Sequence, residues 1–373
     1  MTNPPPPGNW GPPQPPYGQG QPPYGPGQWA PQQGWGPPPQ PPKNNNLKWL
    51  LIGVAVLLVI AISVGATLLF TRDGGGGTTQ TATGNPPAAG EIASANDTGP
   101  VGIITEDPTC DPWRPINDSL VDQQRKGWGE RDYSLPASSW SPEQRTLHDE
   151  IATAMRRAAD QTVQLAKMTP NRVMRELYEQ SIAYWRAYAD SIPTYTVGDN
   201  SLAVTASDTS GAVVTICATI DYRSAATRGP LVTAGEAPTK LAPIGDPASP
   251  AMFLPTSGNT VCAEWTSASD KFDDDTKSWR ESDGGTPATE WTPERRAVME
   301  DAASKMLAYA DTIQALGARS GNPILMDFAT LSAQYFRAYT ESIPSYTSAD
   351  SYLSATASYA NFIVFNACAA TGK

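Results

Sequence analysis

With 373 residues, of which 37 are proline and 31 glycine, and a formal net charge of -11, the chain has length for two or three domains but cannot build a core throughout. Residues 1–72 hold three charged side chains, Lys43, Lys48 and Arg72, all positive, so the remainder carries -14. Such an acidic field repels phosphate backbones and anionic headgroups, which excludes nucleic acid as a partner.

The first segment, residues 1–46, is rich in Pro, Gly and Gln with spaced aromatics at Trp10, Tyr17, Tyr24, Trp29 and Trp35, and Pro-Pro-Tyr-Gly occurs at both 15–18 and 22–25. This composition buries too little to order itself and predicts a disordered, partly polyproline-II tail, suited to a Pro-recognising partner. The run from Trp49 to Phe70 has no charge. At about 1.5 Å per residue its roughly 22 residues span a hydrocarbon core of about 30 Å, which predicts a transmembrane signal anchor over 47–71. Residues 72–105, opening on Gly74 to Gly77, read as a flexible tether.

Beyond the tether the sequence repeats itself at an offset of 151: Trp140-Ser141-Pro142-Glu143 returns as Trp291-Thr292-Pro293-Glu294, and Ser191-Ile192-Pro193 returns as Ser342-Ile343-Pro344. The expected architecture is mainly α, with helical-bundle repeats over 106–220 and 259–373 joined by a linker over 221–258. Within the first repeat a polar helix is expected over about 112–128. Ser141, Pro142 and Gln144 make a capping box that starts a long helix over 142–168, with Leu147, Ile151, Met155, Ala158, Thr162 and Leu165 on one face. Two more helices are expected over about 171–191 and 199–219. Sequence leaves open whether the two repeats pack together.

All four cysteines follow the anchor, and with a single histidine in the chain they lack the clustering of a zinc site. Disulfides in an oxidising compartment are the natural reading, with the repeats exported and the tail cytoplasmic. Of three possible connectivities the repeat favours Cys110 with Cys217 and Cys262 with Cys368, because Cys217 maps onto Cys368 and Cys110-Asp-Pro-Trp113 resembles Cys262-Ala-Glu-Trp265. Each bridge is then local, and losing the first should loosen the first repeat more than the second.

Candidate chemistry is sparse. His148 is matched in the second repeat by Met299, so packing is a simpler role for it than general-base catalysis. Asp273, Asp274 and Asp275 lack the alternating ligands and glycine of a calcium loop and read as a solvated helix face. No metal or cofactor is expected, and no nucleophile motif points to an enzyme. Trp113, Trp128 and Trp140 recur as Trp265, Trp279 and Trp291, either as core or as the lining of a cleft. The candidate ligand-binding residues are Arg186, Tyr188 and Tyr195 in the first repeat and Arg337, Tyr339 and Tyr346 in the second. Either arginine could grip a carboxylate or phosphate, or pair internally with Glu143 and Glu294, the internal pair being preferred.

The order of tail, anchor, tether and cysteine-paired ectodomain, with tail runs such as Gln21-Pro22-Pro23-Tyr24-Gly25, resembles proline-rich single-pass envelope proteins of mycobacteria and related actinobacteria. The resemblance implies a plasma-membrane protein whose folded part faces the cell envelope. Two functions compete: a non-enzymatic, membrane-tethered binding or scaffold protein with a protein partner in the envelope, or an ectodomain that holds an envelope lipid, glycan or small ligand in an aromatic-lined cleft. A hydrolase would need a cleft with convergent carboxylates.

Overall fold

The computed structural model describes residues 92–255 and 257–371. The expected tail, anchor and most of the tether lie outside them. Each repeat opens on a helix that begins at its first cysteine: α1 spans Cys110–Gln124, then α2 Pro142–Met168, α3 Arg172–Ser191 and α4 Asn200–Asp221. The short α5, Ser224–Arg228, follows in the connecting segment. The second repeat has α6 over Cys262–Asp275, α7 over Lys277–Arg280, α8 over Pro293–Arg319, α9 over Pro323–Ser342 and α10 over Ser351–Ala370. The first helix ends earlier than its sequence pattern suggests, before Gly127, whose φ of 112° no helix can continue through.

Local chemistry sets the long helices. The Ser141 hydroxyl accepts from the Gln144 amide at 3.2 Å while the Gln144 side chain accepts from the Ser141 amide at 2.9 Å. Thr292 keeps the first of these bonds, from Arg295 N at 3.2 Å, but an arginine at that position has no acceptor for the second. Asn171 and Asn322 cap α3 and α9 through the amides of Met174 and Leu325 at 3.0 and 3.1 Å. Disulfides then close each bundle, Cys110–Cys217 and Cys262–Cys368, with Cα separations of 5.4 and 5.5 Å.

The repeats share one core. Helices α4 and α10 run antiparallel against each other, with Gly211 under the ring of Tyr359 and Asp208 accepting from Asn366 at 2.8 Å. The counterparts of Gly211 and Tyr359 at the repeat offset are Phe362 and Asp208, so this close approach has no like-for-like copy in the sequence. Helix Val197–Asp221 is long and apolar enough to cross a membrane, yet most of it is buried; its apolarity serves this interface. A Cβ at position 211 would stand 2.5 Å from the Tyr359 ring. Gly211→Ala is expected to cost about 1–3 kcal/mol by overpacking, read as a fall in the urea midpoint.

Two segments outside the bundles staple them together. Residues 92–107 fold as a strap rather than as part of a free tether: Val101 and Ile104 are buried, and the Ile104 amide donates to the Tyr335 hydroxyl of α9 at 3.2 Å. The connection between repeats is likewise held down. Phe253 packs between Tyr184 and Phe328, with ring centroids 6.3 and 5.5 Å away, and Arg228 of α5 pairs with buried Asp350 at 3.0 Å.

Candidate functional site

In each repeat the chain bends after α3 or α9 at Ser-Ile-Pro, and an aromatic corner forms there twice. Trp128 Nε1 donates to the Tyr188 hydroxyl at 3.2 Å, and Trp279 Nε1 to that of Tyr339 at 2.8 Å. Tyr188 meets Tyr195 edge-on at 6.1 Å, and Tyr339 meets Tyr346 at 5.9 Å. The Tyr195 hydroxyl donates to the Tyr133 carbonyl at 3.0 Å, and that of Tyr346 to the Gly284 carbonyl at 2.6 Å. All four tyrosines are buried to within 1% of full coverage, and burial pushes all four hydroxyls up in pKa, which keeps them protonated. The corner is packed by its own side chains and its polar tips are satisfied internally.

The two arginines lie outside this corner on the surface. Arg186 Nη2 pairs with Asp160 at 2.7 Å, and Arg337 Nη2 pairs with Asp311 at the same distance, so the ion pair is itself repeated. Their partners are not Glu143 and Glu294. Those residues lie 17 positions earlier on the neighbouring helix, about 25 Å along its axis and beyond the reach of an arginine. Glu143 instead accepts from the Ser141 hydroxyl at 2.8 Å. Asp160 and Asp311 are largely exposed, so each pair contributes about 0–1 kcal/mol.

His148 stacks on Trp140 at 3.8 Å, and its Nδ1 lies 2.8 Å from the Gln144 carbonyl oxygen, which places the proton on that nitrogen. Burial lowers its pKa, against the pull of the Gln144 carbonyl. Its neutral form is favoured by folding, so its contribution is fully present above the unfolded value of about 6.5 and is lost as pH falls through the folded value. His148→Met, which imports the buried Met299 of the second repeat, should remove this loss. The melting-temperature gap between variant and wild type is expected to widen in the variant's favour as pH falls below about 6.5.

Asp273 pairs with Arg280 at 2.7 Å and Asp275 with Lys271 at 2.5 Å, and no cluster of metal-ligating side chains occurs among the described residues. A shallow notch of about 200 Å³ opens beside Trp291, lined by Asp283, Thr286, Glu290, Thr292 and Arg295.

The densest charge chemistry lies elsewhere, where α3, α9 and the strap meet. Arg172, 2% exposed, donates through Nε to Asp327 of the second repeat at 2.7 Å and through Nη1 to the carbonyls of Asp97 and Gly99 at 2.8 and 3.2 Å. Its backbone amide donates to the Asp97 carboxylate at 2.7 Å. Beside it lie Arg175, Glu176 and Glu179. One signal for this cluster was present in the sequence: Glu176 and Asp327 are acids at equivalent positions in the two repeats.

The described part is thus an all-helical module of two tandem, disulfide-closed repeats, and its disulfides belong to an oxidising, extracytoplasmic compartment. The chain belongs to the family of mycobacterial ESX-1 associated proteins, whose model matches residues 92–372. It is 45% identical over 330 residues to an uncharacterized protein of Mycolicibacterium smegmatis (strain MKD8), covering 87% of this chain and 86% of that one. No solved structure matches it.

Proposed function

We propose that this protein is a non-enzymatic binding or scaffold component of the mycobacterial cell envelope, held by one membrane anchor with its tail in the cytoplasm, whose twin repeats engage a protein partner of the ESX-1 secretion system. The observation that carries the reading is the family to which residues 92–372 belong. It is supported by how the duplicated groups of the corner are used: Trp128 and Trp279 donate to Tyr188 and Tyr339, Tyr195 and Tyr346 donate to backbone carbonyls, and the two arginines are held by Asp160 and Asp311. A surface held rigid in this way presents contacts at low ordering cost. The tail's Pro-Pro-Tyr-Gly runs would gather a Pro-recognising partner on the other side of the membrane.

The alternative is a small polar ligand or glycan seated in the notch beside Trp291, where Arg295 and the aromatic edge supply charge and stacking.

In-cell photo-crosslinking separates the two. Probes replace exposed Tyr133 and Val197 next to the first corner, exposed Glu290 at the notch, and Tyr17 in the tail. Discrete ESX-1 proteins captured at Tyr133 or Val197 are the expected result. Captured glycan or small molecule at Glu290, without protein at the other two positions, would reverse the reading.

A further inference from the structure

Glu176 has no exposed surface, and neither of its carboxyl oxygens has a hydrogen-bond donor. Against it from α9 lies Asp327, 2% exposed, its own counterpart in the second repeat. Two carboxylates cannot both be ionised in such a site without a large mutual repulsion. Asp327 takes the Arg172 guanidinium at 2.7 Å, so its carboxyl is compensated while that of Glu176 is not. Glu176 is left facing an acceptor, and the one arrangement that makes this contact favourable is a carboxylic acid donating to a carboxylate.

The surrounding charges do not replace that proton. Arg175 Nη2 stands 3.8 Å from Glu176 Oε1, while its Nε is 3.5 Å from Glu179 and its Nη1 donates to Ser94 of the strap at 3.1 Å. Asp97 of the strap is committed to Arg172. The buried acid of α4, Asp208, is held by Asn366. The buried titratable group of α2, His148, lies near Tyr195, past the opposite end of α3. Burial and the Asp327 charge push the Glu176 carboxyl well up, against the downward pull of Arg175 and Arg172.

We infer that Glu176 and Asp327 form a proton-sharing carboxyl pair that latches the strap and the second repeat onto α3 while the proton is held, and loosens them when it leaves. The closed state holds one proton more than the opened one. Opening is therefore least below the ordinary glutamate value of about 4.3 and grows up to tenfold per pH unit above it, until the pair has titrated. Because Arg172 joins the same pair to Asp97 and Gly99, the segment that leads in from the amino-terminal side is released together with the repeat contact.

Hydrogen–deuterium exchange on the full chain in nanodiscs tests this between about pH 5 and pH 8, with intrinsic pH effects removed. In the wild type, protection of peptides over residues 92–107 and the first turns of α3 and α9 should fall by up to tenfold per pH unit. Glu176→Gln, whose amide donates to Asp327 without titrating, should hold those peptides protected at every pH. A flat wild-type profile, or an unchanged slope in the variant, overturns the proposal. Infrared spectra of wild-type protein carrying isotope-labelled glutamate provide a readout that needs no variant. A buried carboxylic-acid band at pH 6 supports the latch, and carboxylate bands alone overturn it.

Discussion

Replacing Arg172 by methionine is expected to lower the unfolding free energy by about 3–5 kcal/mol, the range seen when one partner of a buried ion pair is removed. The cost comes less from the lost attraction than from what is left behind. Asp327 would remain 2% exposed without its cation, next to Glu176, and the carbonyls of Asp97 and Gly99 would lose their donor. Methionine keeps much of the side-chain volume, so the loss reports charge rather than a cavity. A second change, Asp327→Leu, should recover much of the stability, because the orphaned charge is then gone. Urea unfolding of the full chain gives both values. A loss below about 1 kcal/mol for Arg172→Met would show that the cluster contributes nothing to the junction.

The second large effect is expected from the disulfides. Cys110 and Cys217 are 107 residues apart and Cys262 and Cys368 are 106 apart, so each bridge closes a loop for which chain entropy predicts a contribution of about 4–5 kcal/mol. Local bridges alone would confine the damage from Cys110→Ser plus Cys217→Ser to the first repeat. The packing argues otherwise, because Cys217 sits on α4, the helix that forms the shared interface with α10. Loosening α4 removes the surface on which the second repeat rests. The melting temperature of the whole module should therefore fall in one step, and a variant that loses only the first repeat would rule out this coupling.

Much of this architecture was legible from particular residues. Ser141-Pro142 and Thr292-Pro293 placed the starts of the long helices where α2 and α8 begin, and the 151-residue offset paired the cysteines as they are found. What the sequence could not show is how the repeats meet. Helix α4 is apolar around much of its circumference, and a pattern with no polar face does not say which neighbour covers it. The strap was hidden for a different reason. Val101 and Ile104 are isolated apolar residues in a Thr-, Gly- and Pro-rich run, and only the surface they land on makes them core.

The candidate residues divide in the same way. Repetition singled out Tyr188, Tyr195, Tyr339 and Tyr346 as candidate ligand-binding residues, and in the structure the two tyrosines of each repeat meet edge-on. It gave no means of separating a cleft from a filled corner, because both place aromatics alike. For Arg186 and Arg337 the nearest conspicuous acids in the motif, Glu143 and Glu294, drew attention from Asp160 and Asp311, which carry no motif but lie opposite in the antiparallel hairpin. Arg172 and Arg175 have no arginine counterpart in the second repeat, where Pro323 and Met326 stand, so the repeat could not announce them.

Equilibrium unfolding of the full chain labelled with fluorotryptophan tests most directly whether the two repeats are one folded unit. Trp113, Trp128, Trp140 and Trp185 report on the first repeat, and Trp265, Trp279 and Trp291 on the second. A shared core, a strap bonded to both repeats and an inter-repeat ion pair predict that all seven resonances disappear over a single urea transition with one midpoint. Two transitions, with one set of resonances surviving the loss of the other, would mean that the repeats fold and act separately.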